Sequence, residues 1–262
     1  MTVNDTEVLA KVCARRITVD ATDHAVPVDP TDALQVYIPL ARMILSRAET
    51  SESGRFMVGI SGPPGAGKTV TAAVLSACLE ELGAHPVVVP LDGFHYPNAY
   101  LQSHRGTDHE GKPRRLSEIK GWHTTFDAHR ALAALTDLKN GRAARLPVYS
   151  RSLHDPVESA LAVEESHSIV LFEGNYLFMP FEPWDSMFSL FDLTLFVTAP
   201  REVLVAQIRE RHIRGGRSAA RADEKIATVD GPNMDAVLTV SSRAEYVIEG
   251  ARGSVSLKRN AP

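Results

Sequence analysis

Apolar residues along the chain change spacing several times, and each change marks an element. Phe56, Met57, Val58, Gly59 and Ile60 form a short apolar run that stops at Gly62-Pro63-Pro64-Gly65, the pattern of a buried strand entering a tight loop. Thr71, Val74, Leu75, Cys78, Leu79 and Leu82 then recur at three- and four-residue steps before Gly83, which predicts a helix with a glycine after its last turn. Further continuous apolar runs at 87–89, 169–172, 193–197 and 246–248 have the character of strands covered on both faces. Helical spacing returns at Leu132, Leu135 and Leu138, and again at Leu204, Val205, Ile208 and Ile213. Helices lying between strands predict a mostly parallel sheet flanked by helices, an α/β fold.

Ahead of the first strand, Leu34, Ile38, Ala41 and Leu45, widened by Tyr37 and Ile44, predict a packing helix. Residues 1–32 show no sustained period and carry Asp20, Asp23, Pro27 and Pro30, which predicts an irregular arm. The expected division is an arm with its packing helix over 1–50 and one domain over 51–262. Between Tyr96 and His123 the chain is polar and longer than an ordinary connection, so an insertion is expected at about 94–124.

With 262 residues, 44% of them apolar, the chain can bury a full core without staples. Its 28 Lys and Arg against 32 Asp and Glu give a net charge of -4, which offers no broad attraction to nucleic acid or an anionic membrane. Neither is expected as a partner. Cys13 and Cys78 are too few for a disulfide framework, and the first thirty positions lack the apolar stretch of a signal peptide. A cytoplasmic location is the expectation.

Gly62-Pro63-Pro64-Gly65-Ala66-Gly67-Lys68-Thr69 satisfies G-x-x-x-x-G-K-[ST] at every fixed position, between a strand and a helix as the motif requires. At average composition, chance matches in such a chain number on the order of 0.01. Backbone amides of residues 62–70, through Val70, are expected to cradle a nucleoside triphosphate, with Lys68 on the β and γ phosphates and Thr69 offering a hydroxyl to Mg²⁺. ATP and Mg²⁺ are the expected cofactors. No N-K-x-D tetrapeptide supports a GTPase, and no L-S-G-G-Q segment supports a transporter ATPase.

Asp92 ends one strand run on the edge of the sheet that carries the phosphate loop, where it can accept a proton from an attacking hydroxyl or help hold Mg²⁺ through water. Glu173 ends another in the same manner, as an outer-shell Mg²⁺ group or a substrate acceptor. Arg209, Arg211, Arg214 and Arg217 surround Gly215 and Gly216, a pattern suited to a mobile lid at about 209–221, with Arg211 and Arg214 the preferred catalytic pair. His95, Tyr96, Lys120, His123, Tyr149, Arg151 and Tyr176 are candidates for an acceptor pocket.

These residues resemble the uridine kinase, phosphoribulokinase and bacterial pantothenate kinase superfamily of P-loop metabolite kinases, and more narrowly its nucleoside/nucleotide-kinase-like branch with fructose-kinase-like bacterial proteins. The resemblance rests on 62–69, Leu91-Asp92-Gly93-Phe94-His95-Tyr96, Lys120-Gly121 leading to Thr125-Phe126-Asp127, and Phe172-Glu173-Gly174-Asn175-Tyr176, extended by 147–151, 154–156 and Trp184. It implies a P-loop NTPase fold with a kinase domain over 51–262. It also implies Asp92 as the base or hydroxyl-orienting group, and Arg211 and Arg214 on the ATP phosphates. The branch usually reads N-D after the lid, where this chain has Val229-Asp230, and Trp122-His123 replaces smaller residues. The expected activity is ATP-dependent phosphorylation of an alcohol on a small metabolite, sugar or sugar-like, in carbohydrate metabolism. The alternatives are a nucleoside or pantothenate kinase, and a non-catalytic nucleotide-binding sensor or scaffold. The N-terminal residues are free to contribute packing or the contacts of a homodimer.

Overall fold

The computed structural model describes residues 4–19, 25–51, 54–251 and 254–260, so Asp20 and Asp23 lie outside the described residues. Its centre is a six-stranded sheet of β1 (Phe56–Ser61), β2 (Pro86–Pro90), β3 (Ile169–Gly174), β4 (Leu193–Thr198), β5 (Tyr246–Ala251) and β6 (Ser254–Arg259), in the order β6-β5-β4-β1-β3-β2. Every pairing is parallel except β5 with β6, which closes one edge antiparallel. The last strand has no continuous apolar run, and its exposed and half-buried positions hid it from the pattern.

Alternation along the buried strands divides their side chains between two cores. Val58, Ile60, Leu171 and Val197 face one side, packed against α1 (Asp5–Ala14), α2 (Ile38–Glu49) and α3 (Lys68–Glu81). Met57, Val89, Val170 and Phe172 face the other, under α4 (Ala128–Lys139) and the aromatic cluster of Tyr176, Phe178 and Trp184. Covering both faces is what a parallel sheet requires. Two further helices, α5 (Arg201–Arg214) and α6 (Gly231–Leu238), lie beyond β4 in the chain and build one rim of the site.

Two sequence expectations need correction, and one pair of strands went unread. The segment 5–14 is helical rather than irregular: Asn4 caps it by accepting from the Thr6 amide, and Val8 and Val12 are fully buried in the core beside α3. Two apolar residues four apart are too few to stand out as a period, although they suffice to dock a short helix. The packing helix begins through a π turn at Ala33–Tyr37, which shifts the phase, so Leu34 is 46% exposed while Ala33 and Val36 are buried. Finally, Ala144–Ser150 and Asp155–Val163 form an antiparallel hairpin outside the main sheet, whose half-exposed strands carry no clean apolar run.

The insertion contains a short helix, Asn98–Ser103, and the strand pair Arg105–Thr107 and Pro113–Arg115 over a small core of Leu101, Leu116 and Ile119. Among the described residues no helix is long and apolar enough to cross a membrane.

Candidate active site

Four chain segments converge at the carboxyl ends of β1, β2 and β3, the crevice where open α/β sheets bind ligands. Strand β1 runs out at Ser61 into the glycine loop, and Gly67 adopts φ +90° immediately before α3. That left-handed conformation is where a side chain would be strained, and it lets the loop close onto the helix N-terminus. Gly62, Pro63, Pro64, Gly65, Ala66 and Gly67 thus form one curl ending at Lys68, Thr69 and Val70 in the first turn.

Lys68 is buried, and its ammonium donates to the Pro63 carbonyl at 3.1 Å. Burial pushes its pKa down to about 8, opposed by Glu173 and Asp92 and assisted by Arg211. Two carboxylates, Asp92 and Glu173, and the Arg211 guanidinium line the same cavity as the lysine. The Thr69 hydroxyl donates to Glu173 Oε1 at 3.0 Å, because β1 and β3 pair with Ile60 opposite Glu173. A hydroxyl backed by a carboxylate offers hard oxygen donors that suit Mg²⁺ held mainly by nucleotide phosphates.

Asp92 does not end its strand. It sits in a 3₁₀ turn, Leu91–Phe94, after β2. Gly93 lets that turn press against the hairpin, since a Cβ there would lie 2.1 Å from the Pro147 carbonyl oxygen. His95 follows, its ring packed at a tilt against Phe126 with centroids 3.8 Å apart and Nδ1 3.0 Å from the Asp92 carbonyl oxygen. Only a protonated Nδ1 can donate there, and burial lowers the His95 pKa, so the neutral ring presents Nε2 as an acceptor.

These groups line a cavity of about 460 Å³ that also receives Lys120, Tyr149, Arg151 and Arg211. Lys120 is held by Asn98 Oδ1 at 2.6 Å and the His154 carbonyl at 2.8 Å, and lies over the Tyr149 ring. The structure therefore brings together Lys68, Thr69, Asp92, His95, Lys120, Tyr149, Arg151, Glu173 and Arg211.

Four of the residues expected for catalysis or the acceptor pocket fall outside that lining. Arg214 is exposed and bonds Glu210 one turn back on α5, and Arg217, beyond the helix end, lines the cavity instead. Tyr96 stacks on Tyr100 and packs on the insertion's own core. His123 sits edge-on to Tyr176 and Phe181, where burial drives its pKa down to about 4. Tyr176 is fully buried and its hydroxyl donates to the Gly121 carbonyl at 2.7 Å, so it supports the wall.

The cavity also holds residues that sequence reasoning left unassigned. His212 Nε2 lies 2.7 Å from Asp230 Oδ2, tying the tip of α5 to the π turn Ile226–Asp230. Lys225 donates to the Lys120 carbonyl at 3.0 Å, with its pKa lowered by burial. The Asn233 amide donates to the Gly121 carbonyl at 3.0 Å. Their signal in the sequence was proximity to the arginine cluster, which spacing alone could not convert into contacts.

A second cavity, of about 520 Å³, adjoins the loop at Ala66, Gly67 and Val70 and is walled by Tyr37, Val197, Ala199 and Val203. Its largely apolar walls beside the phosphate cradle suit the flat base of a nucleotide.

The model of the phosphoribulokinase/uridine kinase family matches residues 57–252. An Escherichia coli K12 protein, YggC, of uncharacterised function, is 31% identical over 216 residues, covering 82% of this chain and 86% of its own. A pantothenate kinase of Ligilactobacillus salivarius is 30% identical over 198 residues, 69% of this chain and 61% of that protein. Among solved structures, the "putative fructose transport system kinase" of Silicibacter sp. TM1040 superposes with a TM-score of 0.70 at 26% identity, covering 79% of this chain and 95% of that one.

Proposed function

We propose that this chain, which belongs to the phosphoribulokinase/uridine kinase family, transfers the γ-phosphoryl group of ATP to an alcohol of a sugar or sugar-like metabolite. The observation that carries this reading is a single cavity lined by Lys68, Thr69, Glu173 and Asp92, with room left for an alcohol. Its polar lining, His95, Lys120, Lys225 and Arg217, favours a hydroxyl-rich head group, in keeping with the fructose-system description carried by the Silicibacter structure.

The cavity beside Val70 would take the base, and the loop amides at the head of α3 would hold the phosphates. Lys68 gives up its Pro63 contact to the β and γ oxygens, a charge it meets already desolvated. Thr69, oriented by Glu173, would offer a hydroxyl ligand to Mg²⁺, which would neutralise phosphate charge there. Asp92 accepts the proton from the acceptor hydroxyl, and His95 Nε2 accepts from a neighbouring hydroxyl and fixes the head group. Arg211 and Arg217, on a lid formed by the tip of α5 and the segment after it, meet charge developing on the transferred group and exclude water.

The test is acceptor-dependent ADP release across sugars, polyols, nucleosides and pantothenate. Asp92→Asn is expected to lower acceptor-dependent turnover by about 10²- to 10⁴-fold while ATP affinity stays within a few-fold. Near-normal turnover would remove Asp92 from the reaction. Tight ATP binding with no transfer to any alcohol would make the protein a nucleotide sensor or scaffold.

A further inference from the structure

Beside the reaction cavity lies another of about 460 Å³, and the two share Thr69, Asp92, Tyr149, Arg151 and Glu173. Its long wall is one face of α3, Thr69, Ala73, Ser76, Ala77 and Glu80, which recur at helical spacing. Between Thr69 and Glu80 that face extends about 16 Å. Small side chains at 73, 76 and 77 leave the hollow, and Val88 and Pro90 of β2 form its floor. Val148 and Leu161 close it from the hairpin, and Ile17 and Val19 close it from the N-terminal segment. At the outer end Arg15 pairs with Glu80 at 2.5 Å. The N-terminal wall lies outside the matched family region, 57–252, so the hollow is partly built from residues that region does not supply.

We propose that this hollow is a second acceptor subsite, which takes an apolar limb extending from the head group whose hydroxyl meets Asp92. The proposal rests on the kinase reading for what sits at Asp92. Continuity argues for one bipartite ligand rather than a separate effector, because an occupant of the inner end touches Asp92, Thr69 and Glu173 themselves. Chemistry divides along the same line. Lys68, His95, Lys120 and Arg217 line only the reaction cavity, whereas the walls of the hollow carry Ile17, Ala73, Ala77, Val88, Val148 and Leu161 along with the charged Arg15, Arg16 and Glu80. Water against the apolar part of those walls is readily displaced by methylenes.

The probes are the ethyl, butyl and hexyl monoethers of glycerol, a polyol head with a limb of stepped length. Calorimetric titration is done on the full chain with Mg²⁺ and a non-hydrolysable ATP analogue, and ADP release is read in parallel with ATP. Affinity is expected to rise about fourfold per added methylene, the fold-change for burying one CH₂. Ala73→Leu fills the hollow from the helix and Val148→Phe fills it from the hairpin. Each is expected to flatten the dependence on limb length, and the use of two walls guards against one variant failing to fold. An affinity independent of limb length in the natural protein overturns the proposal, as does a length dependence that survives in both variants. A kept length dependence with no ADP release from any alcohol supports the subsite while removing the kinase reading.

Discussion

At the residue scale, position relative to the end of α5 separates arginines that look equivalent in sequence. Arg214 and Glu210 are one turn apart on an exposed helix face, an arrangement worth only tenths of a kcal/mol. Arg217 comes after the left-handed Gly216, which turns the chain back toward the cavity. Arg217→Ala is therefore expected to lower kcat by at least about tenfold, and Arg214→Ala to leave it within about twofold; steady-state kinetics on the two variants reads the contrast. His123 supplies a stability signature. Its folded pKa is about 4 because the ring is buried, whereas a free imidazole titrates near 6.5. Below pH 6.5 the unfolded chain takes up a proton that the folded chain refuses. The stability is complete above that pH, is lost as pH falls toward 4, and the loss levels off below it. After discounting for partial exposure the loss is about 1–3 kcal/mol. Unfolding free energies from urea titration, compared from pH 7 to pH 4, should fall by that amount more in the natural chain than in His123→Gln.

At the element scale, what the sequence disclosed follows from how each element buries its residues. The strands of the parallel core, 56–61, 169–174 and 193–198, are buried along nearly their whole length, so they appear as unbroken apolar runs. Helix α3 was equally plain, ending before Gly83 at φ +89°. The hairpin and β6 were not, because strands with exposed positions mix polar and apolar residues without a strict period of two. For the same reason the glycine loop between β1 and α3, a local motif, was legible as a turn joining strand to helix. The rim, assembled from the insertion, the hairpin and the segment after α5, was legible only in part, and His212 with Asp230 escaped it. Close packing of the Asp92 turn on the hairpin predicts that Gly93→Ala displaces Pro147, since backbone rather than a flexible side chain stands in the way. A destabilisation of about 1–3 kcal/mol is expected, measured by denaturant titration, with transfer impaired more than ATP binding because Tyr149 and Arg151 ride on the same hairpin.

At the scale of the whole molecule, contacts distant in sequence tie the N-terminal residues to the phosphate-binding sheet. Arg47 on α2 makes a two-bonded pair with Glu245 at 2.7 and 2.8 Å, reaching the start of β5. The buried Arg55 donates to the carbonyls of His167, Leu138, Arg142 and Glu164, fastening the entrance of β1 to three other segments. Val8, Val12, Ile38, Leu40, Ala41 and Ile44 share one core with Val58, Ile60 and Leu75, and Asp32 and Tyr37 line the cavity assigned to the nucleotide base. A boundary at residue 50 therefore cuts through packed apolar side chains. Burying those six is worth on the order of 10 kcal/mol, which equals the whole net stability of an ordinary domain. The fragment 51–262 is expected to lack a cooperative thermal transition and to bind an apolar dye, and adding ATP should not restore it, because a wall of the base cavity leaves with the helix. A fragment that melts within a few degrees of the full chain would show instead that the N-terminal residues are an appendage, and that the sheet with its remaining helices closes a sufficient core alone.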